Sequence, residues 1–212
     1  MARARFDNLE PERQETLLGA AADEFAAHGY AGASLNRIVE AAGISKGALY
    51  YYFDDKEDLF VSVVEETLER LVGEVGGFDF DRLEADTFWE WLRRYGQSSL
   101  ELMRKDVWYV RLALAFPRLR QEPAAASGVR PALEWGRRLT TALLERGRAL
   151  GVVRRDLPLG LLVEVTMAVD EAGDRWMIER LDEYRGEALQ QLVEGRIDLM
   201  RDMLDAQNEG WE

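Results

Sequence analysis

The feature that most constrains this chain is periodicity: along nearly its whole length apolar residues recur at helical spacing, and the alternation that marks a half-buried strand is absent. The breaks fall at Gly and Pro clusters, so the expected fold class is all-α, with about nine helices. Pro11, suited to a first helical turn, opens a helix over 11–28 that carries Leu17, Leu18, Ala21 and Phe25 on one face and stops at Gly29. Ser34 has the side chain of an N-cap for a second helix, which buries Leu35, Ile38 and Val39 and ends at Gly43. A very short third helix, capped by Ser45, runs to Tyr51. Asp54 then caps a fourth, with Glu57 three residues on as in a capping box, and Leu59, Phe60, Val63, Val64, Leu68 and Leu71 form its apolar stripe. Beyond Gly73, Gly76 and Gly77 the pattern predicts helices over 83–105, 106–116 and 129–150, with 117–127 as a connection. Two long helices follow, over 159–181 and 185–206.

A chain of 212 residues is long enough to bury a sizeable core in one domain or two small ones. With no cysteine and a single histidine it offers neither disulfides nor an ordinary zinc site, and no metal or cofactor is expected. Arg3 and Arg5 near the start are followed by no apolar run, and no stretch approaches the roughly 18 uncharged apolar residues of a membrane span. A cytoplasmic protein with no membrane partner is the expectation. The net charge of −13 argues against non-specific attachment to nucleic acid, which depends on Lys and Arg. Between Ser34 and Lys56, however, Arg37, Lys46 and Lys56 balance Glu40, Asp54 and Asp55. An acidic body with a locally neutral patch suppresses non-specific binding and leaves affinity to a few placed contacts.

The second and third helices, joined by the tight turn Ala42-Gly43-Ile44, have the layout of a helix-turn-helix, whose second helix lies in the major groove. Its N-terminal residues suit that place. Ser45 offers a hydroxyl and a backbone N–H to phosphate, Lys46 reaches phosphate or guanine, and Gly47 and Ala48 permit close approach, with the Ala48 methyl able to touch thymine. Tyr50, Tyr51 and Tyr52 point about 100° apart, so at least one presents its hydroxyl outward.

The stretch SLNRIVEAAGISKGALYYYFDDKEDL, Ser34 to Leu59, resembles the DNA-binding motif of the TetR (tetracycline repressor) family, and the likeness extends upstream through Phe25 and His28-Gly29-Tyr30. The resemblance implies a fold: an N-terminal three-helix DNA-binding domain with the helix-turn-helix, residues 1–55, and a C-terminal helical bundle for ligand binding and dimerisation, residues 56–212. It also implies roles. Ser34 and Lys56 would hold phosphates, and Lys46, Gly47 and Ala48 would face the groove. Tyr50 and Tyr51 would bind phosphate or sugar, Tyr52 stands where many members have His, and Arg37 is a further contact. Ala48 departs from members that carry a polar residue there, and Leu49, Phe53, Ile38 and Ala41 match core positions.

Outside that motif the body is rich in aromatic residues. Phe88, Trp91 and Tyr95 share one helix face, and with Trp108, Phe116 and Trp135 they are candidates to line a cavity for an apolar or planar molecule. Thr166, Asp170, Gly173, Asp174 and Met177 form one stripe, read either as a carboxylate site for a cationic ligand or as a solvated or dimer-edge face. His28 reads as a helix-end cap or a ligand, and Arg3 with Arg5 as a minor-groove arm or a solvated terminus. In the last two helices Leu162, Val165, Val169, Leu189, Leu192, Val193, Ile197 and Met200 alternate with Ala168, Ala172 and Gly195. In the family such a pair forms a homodimer interface.

These readings converge on a dimeric transcriptional regulator that binds double-stranded DNA at a palindromic operator and is released by a small-molecule effector. The alternative is a helical small-molecule-binding or protein-interaction dimer without DNA binding. No nucleophile and base, metal-ligand spacing or glycine-rich phosphate loop suggests an enzyme.

Overall fold

A computed structural model describes residues 5–180 and 183–206. Each expected helix has a counterpart: α1 Pro11–Gly32, α2 Leu35–Ala41, α3 Lys46–Tyr52, α4 Lys56–Glu74, α5 Phe88–Met103, α6 Trp108–Leu119, α7 Ala126–Ala149, α8 Leu159–Glu179 and α9 Glu187–Leu204. There is no strand among the described residues, only an isolated bridge between Val153 and Asp205. Two compact units emerge, one of residues 1–73 with 105–133 and the other of 74–104 with 134–212.

In the first unit the stripe of α1 (Leu17, Ala21, Phe25) meets Ile38, Leu49, Phe53 and Phe60, all essentially without solvent exposure. The rings of Phe25 and Phe60 meet edge to face at 4.8 Å. Gly29 breaks α1 with φ 71°, and the chain then adds one more turn before Ala33 N–H closes on the Gly29 carbonyl at 3.1 Å. Packing against α1 recruits α6 from far along the chain. Arg111 forks onto Asp23 at 2.7 and 3.0 Å, and the Trp108 indole N–H donates to Glu15 at 2.7 Å.

Of the boundaries that differ from expectation, three have a clear local reason. The N-terminus of α4 is closed by Asp55, which accepts from Asp58 N–H at 2.9 Å, while Asp58 reaches back to Asp54 N–H at 3.0 Å, so the capping box sits one residue later than Asp54 and Glu57. Helix α5 begins at Phe88 rather than 83, because Thr87 and Glu84 close a turn on each other, with the Thr87 hydroxyl accepting from Glu84 N–H at 3.2 Å. The 117–127 connection is largely helical: α6 runs through Pro117 to Leu119, Pro123–Ala125 form a 3₁₀ turn, and α7 starts at Ala126. Gly128 is required there, since a Cβ would overlap the Phe60 ring.

The second unit holds its own core, in which Leu83, Phe88, Leu144, Val153, Leu162, Val163 and Leu204 are buried together. Arg146 donates to the Leu83 carbonyl at 3.1 and 2.5 Å, and Arg148 gathers the carbonyls of Arg154 and Leu157 around the turn that follows Gly151. Leu162, Leu189, Val193 and Met200, expected on the dimer-forming face, belong to this protomer's interior.

Candidate nucleic-acid interface and internal chamber

The turn between α2 and α3 is built on Gly43 (φ 64°): its N–H donates to Glu40 O and that of Ile44 to Val39 O, at 3.2 and 3.1 Å, closing the end of α2. Ser45 then caps α3 by accepting from Ala48 N–H at 3.1 Å, so its hydroxyl proton stays available to a phosphate. Helix α3 has two faces. Leu49 and the following Phe53 are 1 % exposed, whereas Tyr50 and Tyr51 keep 47 % and 55 % of their surface, and Ser45, Lys46 and Gly47 are also exposed. Ala48 is half-buried, as is Tyr52, whose ring meets Phe6 edge-on at 6.2 Å. Arg5 lies over the Tyr51 ring at 4.7 Å and donates to the Tyr51 carbonyl at 3.4 Å, bringing a cation beside the exposed face. Arg3 lies outside the described residues.

The three remaining motif residues are held differently. Ser34 caps α2 by position, but its hydroxyl makes no capping bond; its N–H instead donates to Glu24 at 2.8 Å. Glu24, only 9 % exposed, also takes the Arg37 guanidinium at 2.5 to 3.0 Å, and Arg37 reaches the Gly32 carbonyl at 2.9 Å. Burial pushes the Glu24 carboxyl up, but Arg37, the Ser34 N–H and the nearby His28 together hold it below the ordinary range. Lys56 donates to the carbonyls of Ala31 and Ala33 at 3.3 and 2.8 Å and lies 4.8 Å over the Tyr30 ring. Burial holds its ammonium below the usual lysine range. Arg37, with half of its side chain exposed, and Lys56 thus also clamp the end of α1. His28, beside Glu24 at 3.8 Å, belongs to the same cluster, and the sequence offered no role for Glu24 itself.

The second unit encloses a chamber of about 370 Å³ between α5, α7, α8 and α9. Of the candidate residues it brings together Phe88, Trp91, Tyr95, Trp135, Thr166, Asp170, Asp174 and Met177, and it adds Phe78 and Arg196. Trp91 and Tyr95 stack at 5.6 Å with planes 8° apart, and Phe78 meets Tyr95 at 5.5 Å and Trp135 at 5.7 Å. At the polar end Arg196 donates to Asp174 at 2.7 Å, to the Asp170 carbonyl at 3.0 Å and to the Asp170 carboxylate. Burial, and then the like charge of Asp170, raises Asp174 to about 6 against the pull of Arg196. The Thr166 hydroxyl is buried with no hydrogen-bond partner. Gly96 lets α5 approach α9 closely, since a Cβ there would stand 3.2 Å from Val193.

Trp108 and Phe116 do not join the chamber. Both lie on α6, in the first unit, where Trp108 is buried against Gly19 of α1 and under the Arg70 guanidinium at 5.0 Å. A separate apolar stripe faces outward: Leu161 and Val165 on α8, continued by the small Ala168 and Ala172 and by Trp176, with Leu199 and Gly195 on α9. No described helix is long and apolar enough to cross a membrane.

A helix-turn-helix whose short second helix is capped, half-buried beneath and aromatic and basic above defines the class of helix-turn-helix proteins. Residues 17–63 match the family described as bacterial regulatory proteins, tetR family. Over 173 residues the chain is 30 % identical to the HTH-type transcriptional repressor Rv1474c of Mycobacterium tuberculosis, covering 76 % of this chain and 80 % of that protein. It is 44 % identical over 71 residues to the HTH-type transcriptional repressor AcnR of Corynebacterium glutamicum, where the match spans 34 % of this chain but only 37 % of the repressor. A solved TetR family transcriptional regulator from Chloroflexus aurantiacus shares the fold with a TM-score of 0.67 at 23 % identity, covering 95 % of this chain and 97 % of that one. The chain belongs to the TetR family of bacterial regulatory proteins.

Proposed function

We propose that this protein is a homodimeric transcriptional repressor that binds a palindromic operator and is released by a small molecule held in the chamber. The observation that carries the reading is the two-faced α3, which buries Leu49 and leaves Ser45, Lys46, Gly47, Tyr50 and Tyr51 facing out from one surface. Within residues 1–55 that surface reads DNA, with the free Ser34 and Ser45 hydroxyls and Arg5 as phosphate contacts. Residues 56–212 supply the chamber and the dimer face. The exposed stripe of Leu161, Val165, Trp176 and Leu199, interrupted by small residues, is what a helix-on-helix interface between copies requires. A palindromic operator requires the two copies of α3 to lie about 34 to 36 Å apart, one turn of the duplex. Repression follows the related proteins, both named repressors. Helix α7 belongs to both compact units, so a ligand that rearranges its chamber residues also acts on a helix of the first unit, with a coupling of about 1 to 3 kcal/mol.

The test is selection of bound sequences from random DNA, followed by Lys46→Ala and Tyr50→Ala. Both variants should lose operator affinity while melting like the parent; if neither does, the reading surface is wrong. One observation favours a second reading without DNA: Arg37 and Lys56, two of the three basic residues of the motif, are engaged by protein groups. Affinity that falls steeply between 50 and 200 mM salt excludes it, because counterion release accompanies phosphate contacts.

A further inference from the structure

We propose that the chamber takes an aryl-bearing organic monocation with N–H donors, a protonated arylalkylamine being the simplest, with its ring in the aromatic box and its charged nitrogen on the Asp170–Asp174 edge. The inference rests on the reading of the chamber as an effector site.

Charge is the first argument. Two carboxylates share one guanidinium, so the polar end carries a formal charge of −1. Both terminal nitrogens of Arg196 are already spent on Asp170 and Asp174. A carboxylate ligand would have to displace one of them and enter a negative site. A cation instead completes the pairing. Asp174 lines the chamber with 39 % of its side-chain surface still accessible, and its second oxygen accepts no hydrogen bond among the described residues.

Geometry is the second. Thr166, Asp170 and Asp174 follow at four-residue steps and so stand one above another on α8. The two carboxylates keep accessible surface, 59 % for Asp170 and 39 % for Asp174, so both are within reach of a guest. Opposite, Trp91 and Tyr95 stack in parallel while Phe78 turns its ring between Tyr95 and Trp135. Flat rings with electron-rich faces favour a planar group next to a positive charge. Tyr95 joins the two halves: the fields of Asp170 and Asp174 add to burial in raising its hydroxyl above the ordinary range, so the box and the carboxylates are electrostatic neighbours. At about 370 Å³ the chamber falls at the small end of the roughly 300 to 1,000 Å³ typical of small-molecule sites, which suits a compact ligand.

The groups facing Asp174 are Asp170 and Glu171 on α8, Arg196 on α9 and Tyr95 on α5. A cation bound there keeps Asp174 ionised, so binding near pH 6 releases a proton, and affinity falls by up to about tenfold per unit as pH drops below 6.

The experiment is calorimetry on the full chain at pH 7.5 with phenyl, indolyl and naphthyl series, each as the ethylamine, the ethanol and the acetate. The amines should bind about tenfold or more tightly than the alcohols, and the acetates most weakly. Repeating the best amine near pH 6 in buffers of different ionisation heat should show proton release by the unaltered protein. Asp174→Asn should abolish both that release and the amine preference. The assignment is overturned by an alcohol or acetate that binds as tightly as its amine, by amines that do not bind, or by binding without proton release. If a neutral or acidic member binds the chamber and frees the operator, the effector reading survives and only the charge class falls. If chamber ligands of every charge leave operator affinity unchanged, the effector reading fails separately.

Discussion

Two carboxylates, Glu24 buried in one compact unit and Asp174 half-buried in the other, face an arginine and respond in opposite ways. Glu24 in the first unit has Arg37 to itself and the Ser34 N–H as well, and it is held below the ordinary carboxylate range. Asp174 in the second must share Arg196 with Asp170, and it is raised to about 6. The Glu24 cluster is thus closed by protein groups. The polar end of the chamber is one positive charge short, and open space lies beside that deficit.

The largest expected effect tests packing. Phe60, fully buried between α1, α4 and the start of α7, should cost about 3 to 5 kcal/mol on truncation to Ala in urea unfolding. Phe78→Ala should cost well under half as much, about 1 to 2 kcal/mol, because that ring already borders a void. Equal costs would abolish the contrast between a filled unit and an open one. Next comes Glu24→Ala, which strands the Ser34 N–H and the Arg37 guanidinium and should destabilise by about 1 to 3 kcal/mol, with operator affinity falling as Ser34 loosens. The smallest effect is a pH dependence of opposite sign in the two units. Glu24, lowered in the fold, adds stability above its ordinary value of 4.5 that is lost as pH falls through its folded value. Asp174, raised from 3.8 to about 6, makes the fold hold a proton the unfolded chain has lost, so stability declines as pH rises between those values. Thermal melts across this range should show that decline in the parent and not in Asp174→Asn.

Much of this was legible from local pattern. The turn glycine Gly43, the cap Ser45 and the alternation of Leu49 with exposed tyrosines lie within a few residues of one another, and short-range rules suffice for them. Trp91, Tyr95 and Thr166 each stand on a stripe that helical periodicity picks out, and Asp170 on an acidic stripe read two ways, but that they meet in one chamber is a long-range fact. Trp108 and Phe116 obey the same rule yet belong elsewhere, because periodicity reports that a face is buried and not against what. The pairing of α6 with α1 joins Asp23 to Arg111 across 88 positions, which no local window can see. The resemblance gives Lys56 a phosphate and Arg37 a further contact, and only the structure reveals carbonyls and a carboxylate within their reach as well. A better signal was present for both ion clusters. Glu24 stands between Ala21 and Phe25, and Arg196 between Val193 and Ile197, each a charge set into an apolar stripe, where it survives only if paired.

Gly96 gives the chamber an adjustable depth. Because nothing but a hydrogen separates α5 from Val193 and Ile197, the distance between two walls is set by one absent methyl group. Relatives that differ there by a single small side chain would hold their walls further apart and favour bulkier guests, so this position is a natural dial by which one scaffold could be retuned from one guest to another without touching the helix-turn-helix.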